Sequence, residues 1–533
     1  MAQEKDKDTA TQLEERLFAA QQSTEAEVKM SLWQALKLYP KASLWSILIS
    51  FAVVMEGYDV ILMGSFYAYP NFTKRFGVKD AAGDYEIPAH WQASLGNSGS
   101  VGQIIGLMFN EWAAERYGYR IVMSGALIAT MGFIFLFFFA TNLEMLLAAE
   151  ILCGIPWGIF QTLTTSYACE VAPVALRAYL TTWVNACWGI GQLLSCGVLR
   201  ALLYRTDQWG WRIPFAVQWV WPIPLLIITL LAPESPWWLV RHGHYERAKQ
   251  SLQRLTDASS VEGFNIDNTI QMMIHTDELE REERTGSRYI DCFRGIELRR
   301  TEIVCMVWTV QNMCGSAFMS YSTYFFEQAG LPDSDSYDLS MGQYAINTAG
   351  TFAVWGLLML GISRRGMYLW GCVFMGIALI IIGCVSLDDA KAGSWAVGAM
   401  LLAWNVGYQF SVGTIAFSLV TELSSRRLMV KALNIGRAVY NVEGLILGVL
   451  TPYMLNPTAW NWGGKTAFFW AGFDALCVVW IYFRLPDPTG MTFAEIDKRF
   501  EMKIPARQFK SVQVDEFEGE RQQLEKARAT ENP

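Results

Sequence analysis

The sequence predicts an all-α membrane protein of twelve transmembrane helices in two six-helix halves. Three observations carry this. Of 533 residues, 52% are hydrophobic and only 17% charged, against about 25% charged in soluble domains. Apolar stretches long enough to cross a bilayer recur along the chain, and one long polar stretch divides them into two sets. Short charged motifs after spans 2, 4 and 6 return, about 250 residues later, after spans 8, 10 and 12.

The elements follow in order. Residues 1–43 are polar and mixed in charge and form an N-terminal tail. They lack the short apolar core and cleavage site of a signal peptide, so the first apolar segment acts as an uncleaved insertion signal. The first half, 44–232, holds spans near 44–68, 92–112, 121–140, 145–168, 179–203 and 212–232. A linker at 233–300, rich in Arg and Glu, carries short helices. The second half, 301–484, holds spans near 301–326, 341–361, 367–387, 394–420, 431–455 and 466–484. Residues 485–533 form the C-terminal tail. Lys37 and Lys41 precede span 1, Arg241, Arg247 and Lys249 follow span 6, and Arg294, Arg299 and Arg300 precede span 7. Cationic flanks stay inside, which places both tails and the linker in the cytoplasm. Asn71-Phe72-Thr73 is then external, too near the membrane for a glycan to be expected.

The motifs pair across the halves. ERYGYR (Glu115–Arg120) matches SRRGMY (Ser363–Tyr368), and CEVAPVALR, ending at Arg177, matches TELSSRR, ending at Arg427. PESPWWL (Pro233–Leu239) matches LPDPTGMTFAEID (Leu485–Asp497). Repetition in the same order implies two parallel halves facing each other across a cavity.

Several classes are excluded. No basic block points to nucleic acid. Nine of the ten cysteines lie in apolar segments and none forms a CxxC pair, so buried inert thiols are expected rather than disulfides or zinc. His242 and His244 lack a third ligand nearby and read as loop histidines. Gly464-Lys465-Thr466 ends like a phosphate-binding loop, but the glycine such a loop needs is Ala459 here, and the context is a loop between spans. No nucleophile–base or metal constellation stands out, so neither enzyme nor cofactor chemistry is expected. With no sign of ATP binding, any movement of a solute through the spans would be driven by a gradient.

Within the spans, Glu56 and Asp59 stand three apart on one helix face of span 1. A charge at mid-membrane costs on the order of 3 kcal/mol. Two neighbouring carboxyls that both resist ionisation suit a proton carrier, and a structural polar patch near a span end is the plainer alternative. Arg437, in span 11, is either their counter-charge or a headgroup partner at the end of its span. Neutral amides and flat rings within the spans suit a ligand rich in hydroxyl groups. The candidates are Gln161, Asn185, Trp188 and Gln192 in the first half. In the second they are Gln311, Asn312, Asn347, Trp404, Asn405 and Asn441. Amides also serve as bonds between helices. Glu115, Arg116, Arg120, Glu170 and Arg177, with Arg364, Arg365, Glu422 and Arg426, are candidates for gating ion pairs or for fixing topology.

From about residue 40 to 500 the chain resembles the sugar-porter branch of the major facilitator superfamily. The resemblance rests on PESPWWLVRHGHYERAKQSL, on GYD in span 1, on Glu170, Ala172, Pro173 and Arg177 after span 4, and on QN-x-x-G with Tyr321 and Tyr324 in span 7. MEGYD, CGIPWGIFQTLTTSYACEVAPVALR, RAVYNVEG and TPYMLNPTAWNWGGKTAFFWAG are most similar to fungal maltose-type permeases. That resemblance implies a plasma-membrane protein, acting as a monomer, that imports an α-glucoside with a proton by alternating access. A uniporter of the same fold and a sugar receptor that does not transport are the alternatives. It also implies that Gln192, Gln311 and Asn312 line the cavity and that Arg437 lies in the substrate and proton pathway. The chain departs from the pattern at two buried-type positions. Glu150 stands where many hexose porters carry Arg on span 4, and Gln103 stands where maltose-type symporters often carry an acid on span 2. Glu443 is an additional acid without an assigned role.

Overall fold

In the computed structural model, helices coincide with every stretch expected to span. The structure describes residues 30–79, 85–257, 264–284, 288–316, 321–328, 330–359, 362–387, 391–425, 428–489, 491 and 493–512. Among these, 7 helices are long and apolar enough by themselves to cross a membrane: Pro40–Phe66, Tyr119–Phe138, Leu143–Val171, Trp209–Leu231, Arg364–Val385, Lys431–Leu455 and Gly463–Arg484. Long helices also run over Ala89–Tyr117, Val174–Leu202 and Asp333–Met359. They carry Asn97, Gln103 and Asn110, or Gln192, or Gln343 and Asn347, and such side chains lower mean hydropathy. Polar residues on long helices of a membrane bundle are the expected places for helix bonds and substrate contacts. The only strands among the described residues are Val78–Lys79 and Tyr85–Glu86, an antiparallel pair.

The chain divides into two units. The first comprises Met1–Gly286 with Ser320–Tyr324 and Pro332–Thr348, and the second Ser287–Met319, Phe325–Leu331 and Ala349–Pro533. Parts of spans 7 and 8, expected in the second half, therefore pack with the first unit. Their contacts there include polar ones, with Tyr337 donating its hydroxyl to the Ser65 carbonyl at 2.7 Å and Thr323 Oγ1 3.2 Å from Ser65 Oγ, and an apolar one of Tyr344 and Met341 with Ile61 and Cys196.

Glycines decide how closely the first unit's helices approach. A Cβ on Gly102 would lie 2.2 Å from the Ile151 carbonyl oxygen, and one on Gly158 would lie 2.3 Å from that of Gln103. The backbones of spans 2 and 4 are thus in direct contact, as small residues allow in apolar bundles. Span 1 meets span 5 in the same way, with the Gly57 Cβ position 2.1 Å from the Trp188 carbonyl oxygen. The first seam sets spans 2 and 4 side by side, and the hydrogen bond from Gln103 to Glu56 brings span 2 to span 1.

In the second unit, span 7 is interrupted after Gln311. Residues Asn312–Ser316 form a π-type turn in which Gly315 takes φ +98°, a conformation side chains other than glycine rarely adopt. A second π segment, Gln409–Gly413, interrupts span 10. Such turns free backbone carbonyls and often mark functional sites.

Candidate functional site

Glu56 and Asp59 sit one turn apart on the Ala52–Phe66 helix, 2% and 0% exposed. Each meets an amide. Gln103 Nε2, from span 2, donates to Glu56 Oε1 at 3.3 Å. Gln218 Nε2, from span 6, donates to Asp59 Oδ1. Tyr58, between the two acids, donates its hydroxyl to the Pro214 carbonyl at 2.8 Å, which holds span 6 against span 1. Glu150, from span 4 and also buried, brings its carboxyl into hydrogen-bonding contact with that of Asp59. Among the described residues no lysine, arginine or histidine hydrogen-bonds to Asp59 or Glu150. Three carboxyls and two amides from four spans thus form one buried cluster within the first unit. An amide N–H stabilises a carboxylate without fixing its charge, as a permanent cation would.

Arg437 belongs to the second unit and is placed on aromatic rings. Its guanidinium carbon lies 4.4 Å from the Trp308 ring centre, 5.3 Å from that of Tyr440 and 5.8 Å from that of Phe417. Gly436 allows this approach, since a Cβ there would lie 2.9 Å from Trp308 Cδ1. Rings satisfy a cation by their quadrupoles, and guanidinium is the cation best suited to stacking. Glu443, half-buried, accepts from Thr309 Oγ1 at 2.7 Å, which bonds span 11 to span 7.

The amide candidates divide into two groups. Gln311 Nε2 donates to the carbonyls of Val412 at 3.1 Å and Gly413 at 3.0 Å, capping the π segment of span 10. Asn312 Nδ2 donates to the Tyr440 carbonyl at 3.0 Å. The donors of this pair therefore tie spans 10 and 11 to span 7. Gln192, Asn347 and Asn405 are buried, as is Trp404, which stacks on Tyr408 with ring centres 5.4 Å apart. Gln161, Trp188 and Asn441 are half-buried, and Asn185 is exposed.

The loop motifs form two corners, one in each unit. In the first, Glu170 accepts from Tyr119 Oη at 2.9 Å, from Ser235 Oγ, and from Arg241 at 2.5 Å. Glu234 accepts the backbone N–H groups of Tyr119 at 3.0 Å and Arg120 at 3.2 Å, at the start of span 3. Gly118, at φ +85°, leaves room for that carboxylate. Arg120 donates to the Leu230 carbonyl and Arg177 to that of Ala172, while Glu115 and Arg116 are exposed. Burial lowers the proton affinity of Arg241, but its pairing with Glu170 outweighs this and holds it above the ordinary value. In the second unit Arg364 pairs with Glu422, Arg365 donates to the Tyr482 carbonyl, and Asp487 accepts from Ser363 Oγ at 2.8 Å. Arg426 lies outside the described residues. The two corner acids after spans 6 and 12 differ in proton affinity. Burial pushes Glu234 above the usual carboxylate value. For Asp487 burial also pushes upward, but the hydrogen bonds from Thr489 and Ser363 outweigh it and hold the carboxyl below that value.

The sugar (and other) transporter family matches residues 45–500. The chain belongs to that family. It is 39% identical over 504 residues to a general α-glucoside permease of Saccharomyces cerevisiae, covering 93% of this chain and 81% of the relative. A maltose permease of the same yeast is 39% identical over 510 residues, covering 95% and 83%. Among solved structures, the inward-open xylose transporter from E. coli aligns with a TM-score of 0.69 at 19% identity, over 85% of this chain and 98% of that one. The same transporter bound to 6-bromo-6-deoxy-D-glucose, titled a major facilitator superfamily proton:xylose symporter, aligns at 0.66 and 18%, over 86% and 99%. At such identities the likeness shows the fold alone, a helical bundle of the major facilitator type; membership of the sugar transporter family, with permeases as relatives, makes the chain a multi-pass membrane transporter rather than an enzyme.

Four participants were not singled out from the sequence. Gln218 is a lone amide in the apolar stretch 212–232, and Asp474 a lone acid in 466–484. Asp474 is buried at the Gly376 position of span 9, its Oδ1 without a donor among the described residues. Isolation of a polar residue in an apolar run was the available signal for both. Glu234 and Arg241 lay in plain view within PESPWWLVR, but only folding shows which backbone groups they reach.

Proposed function

We propose that this chain imports an α-glucoside, a maltose-like di- or trisaccharide, together with a proton, by alternating access across the plasma membrane. Both termini are cytoplasmic and a monomer suffices. The observation that carries the reading is the 39% identity to α-glucoside and maltose permeases across almost the whole chain. The buried carboxyl cluster supports the coupling ion: Glu56 and Asp59 take up and release the proton, and amide donors tolerate either state. Gln161, Asn185, Trp188, Gln192, Asn347, Trp404, Asn405 and Asn441 are the candidates for sugar, with Gln311 and Asn312 acting chiefly as supports of the kinked span 7. The corner pairs bias the two-state equilibrium that alternation needs.

In proteoliposomes with an acidic exterior, labelled maltose accumulates above its external concentration, and a protonophore collapses the gradient. Competition by trehalose, sucrose, cellobiose and glucose ranks the substrates, with α-linked sugars ahead of cellobiose. Equilibration without accumulation would establish a uniporter instead, and saturable binding without flux a receptor.

A further inference from the structure

The carboxyl of Glu150 faces that of Asp59 in a place fully enclosed by protein. Asp59 is 0% and Glu150 3% exposed. The two are in hydrogen-bonding contact across spans 1 and 4. Two carboxylates have no proton to offer each other, so the contact is attractive only when one of them is protonated. Two negative charges this close, away from water, repel, and one proton shared between them relieves that repulsion.

The surroundings supply no competing charge. Gln218 Nε2 donates to Asp59 Oδ1, while Asp59 Oδ2 and Glu150 Oε1 have no donor among the described residues. Gly99, in span 2, leaves the space beside Glu150 Oε2 open, since a Cβ there would lie 3.3 Å away. The titratable groups that face the pair are Glu56 from span 1, Tyr58 and Tyr67, and Cys153 from span 4. All are acids or neutral groups. Gln103 from span 2 and Gln218 from span 6 contribute amides.

We propose that Asp59 and Glu150 form a carboxyl–carboxylate pair that shares the transported proton, with Glu150 as the second proton-binding residue and Gln218 as the positioning residue. This rests on the proton-coupled reading and names a partner for Asp59 that the repeat motifs do not. Release then requires either separation of spans 1 and 4 or arrival of a cation at the pair, and both change the hydrogen bond across the pair.

The test measures proton and maltose fluxes together in proteoliposomes, for the parent, Asp59→Asn, Glu150→Gln and Glu150→Asp. Glu150→Gln should lower the proton-to-sugar ratio from the parent value toward zero. Glu150→Asp, which keeps a titratable group, should restore coupling with a shifted pH profile. Infrared difference spectra should lose one protonated-carboxyl band in either Asp59→Asn or Glu150→Gln. A parent-like ratio and pH profile in Glu150→Gln, with coupling lost in Asp59→Asn, would overturn the pair alone. Full coupling in Asp59→Asn would overturn the proton-coupled role of span 1 as well. If Glu150→Gln fails to reach the membrane, Glu150→Asp decides: an unshifted pH profile contradicts the pair.

Discussion

The acid cluster of the first unit and the arginine of the second are held in opposite ways, although the second unit also carries the intramembrane acids Glu443 and Asp474. In the first, three acids are buried among amides, with Asp59 bonded to Gln218 and facing Glu150. In the second, one arginine rests on the rings of Trp308, Tyr440 and Phe417. Amides leave a carboxyl free to gain or lose a proton, whereas rings hold a guanidinium that never deprotonates. The first arrangement is built to change charge and the second to keep it. The loop corners are closer in kind, since Glu170 and Glu422, at matching positions after spans 4 and 10, each pair with an arginine, Arg241 from the linker and Arg364 from the start of span 9. The repeat preserves what bonds loops to helices and lets the intramembrane chemistry diverge.

The comparison can be broken at its strongest point first. Asp59→Asn removes the titratable partner of Glu150, and uphill maltose uptake should fall to background while some sugar exchange remains. Next comes the glycine seam. Gly102→Val forces spans 2 and 4 apart where the Cβ would lie 2.2 Å from a carbonyl oxygen. It should destabilise by about 1–3 kcal/mol or more. Gly125→Ala in span 3, whose Cβ would meet nothing within 4 Å, is the control and should melt like the parent. A smaller loss is expected at the aromatic site. Trp308→Leu takes away the ring nearest Arg437 and should cost about 2 kcal/mol in thermal unfolding, the worth of a desolvated cation–π contact.

The smallest effect separates the corners by pH. The folded value of Asp487 lies below its unfolded one, so its contribution is present above the ordinary carboxylate value and is lost as pH falls through the depressed value. The folded value of Glu234 lies above its unfolded one, so its contribution is present below the ordinary value and lost as pH rises through the raised value. Asp487→Asn should therefore lower the melting temperature at neutral pH more than Glu234→Gln does, with the gap closing in acid. Equal shifts at every pH would show that the corners are electrostatically alike.

Much of this was legible in the sequence because it follows from hydropathy and repetition. Helices stand where apolar stretches of bilayer length stand, and the paired motifs mark paired corners. Glu56, Asp59 and Arg437 were visible as charges that an apolar run would not otherwise tolerate. Partner choice was not legible. Gln103 and Glu150 stand out in the sequence as departures, but only the folded contacts of Gln103 with Glu56 and of Glu150 with Asp59 show that spans 2 and 4 deliver them to span 1. Gln311 and Asn312 illustrate the same limit: their residue type suits a sugar, yet the kink at Gly315 turns their donors toward backbone carbonyls. Ion pairing across the corner was foreseen in kind, while Arg241 and Glu234 emerged as partners because spacing along the chain carries no information on which loop reaches which.

The central claim is tested most directly by adding maltose to de-energised proteoliposomes and recording external pH with sugar uptake. The parent should alkalinise the medium in proportion to the maltose taken up, and the Glu56→Gln, Asp59→Asn double variant should not. Sugar-dependent proton influx that survives in the double variant would contradict the assignment of coupling to the span 1 acids.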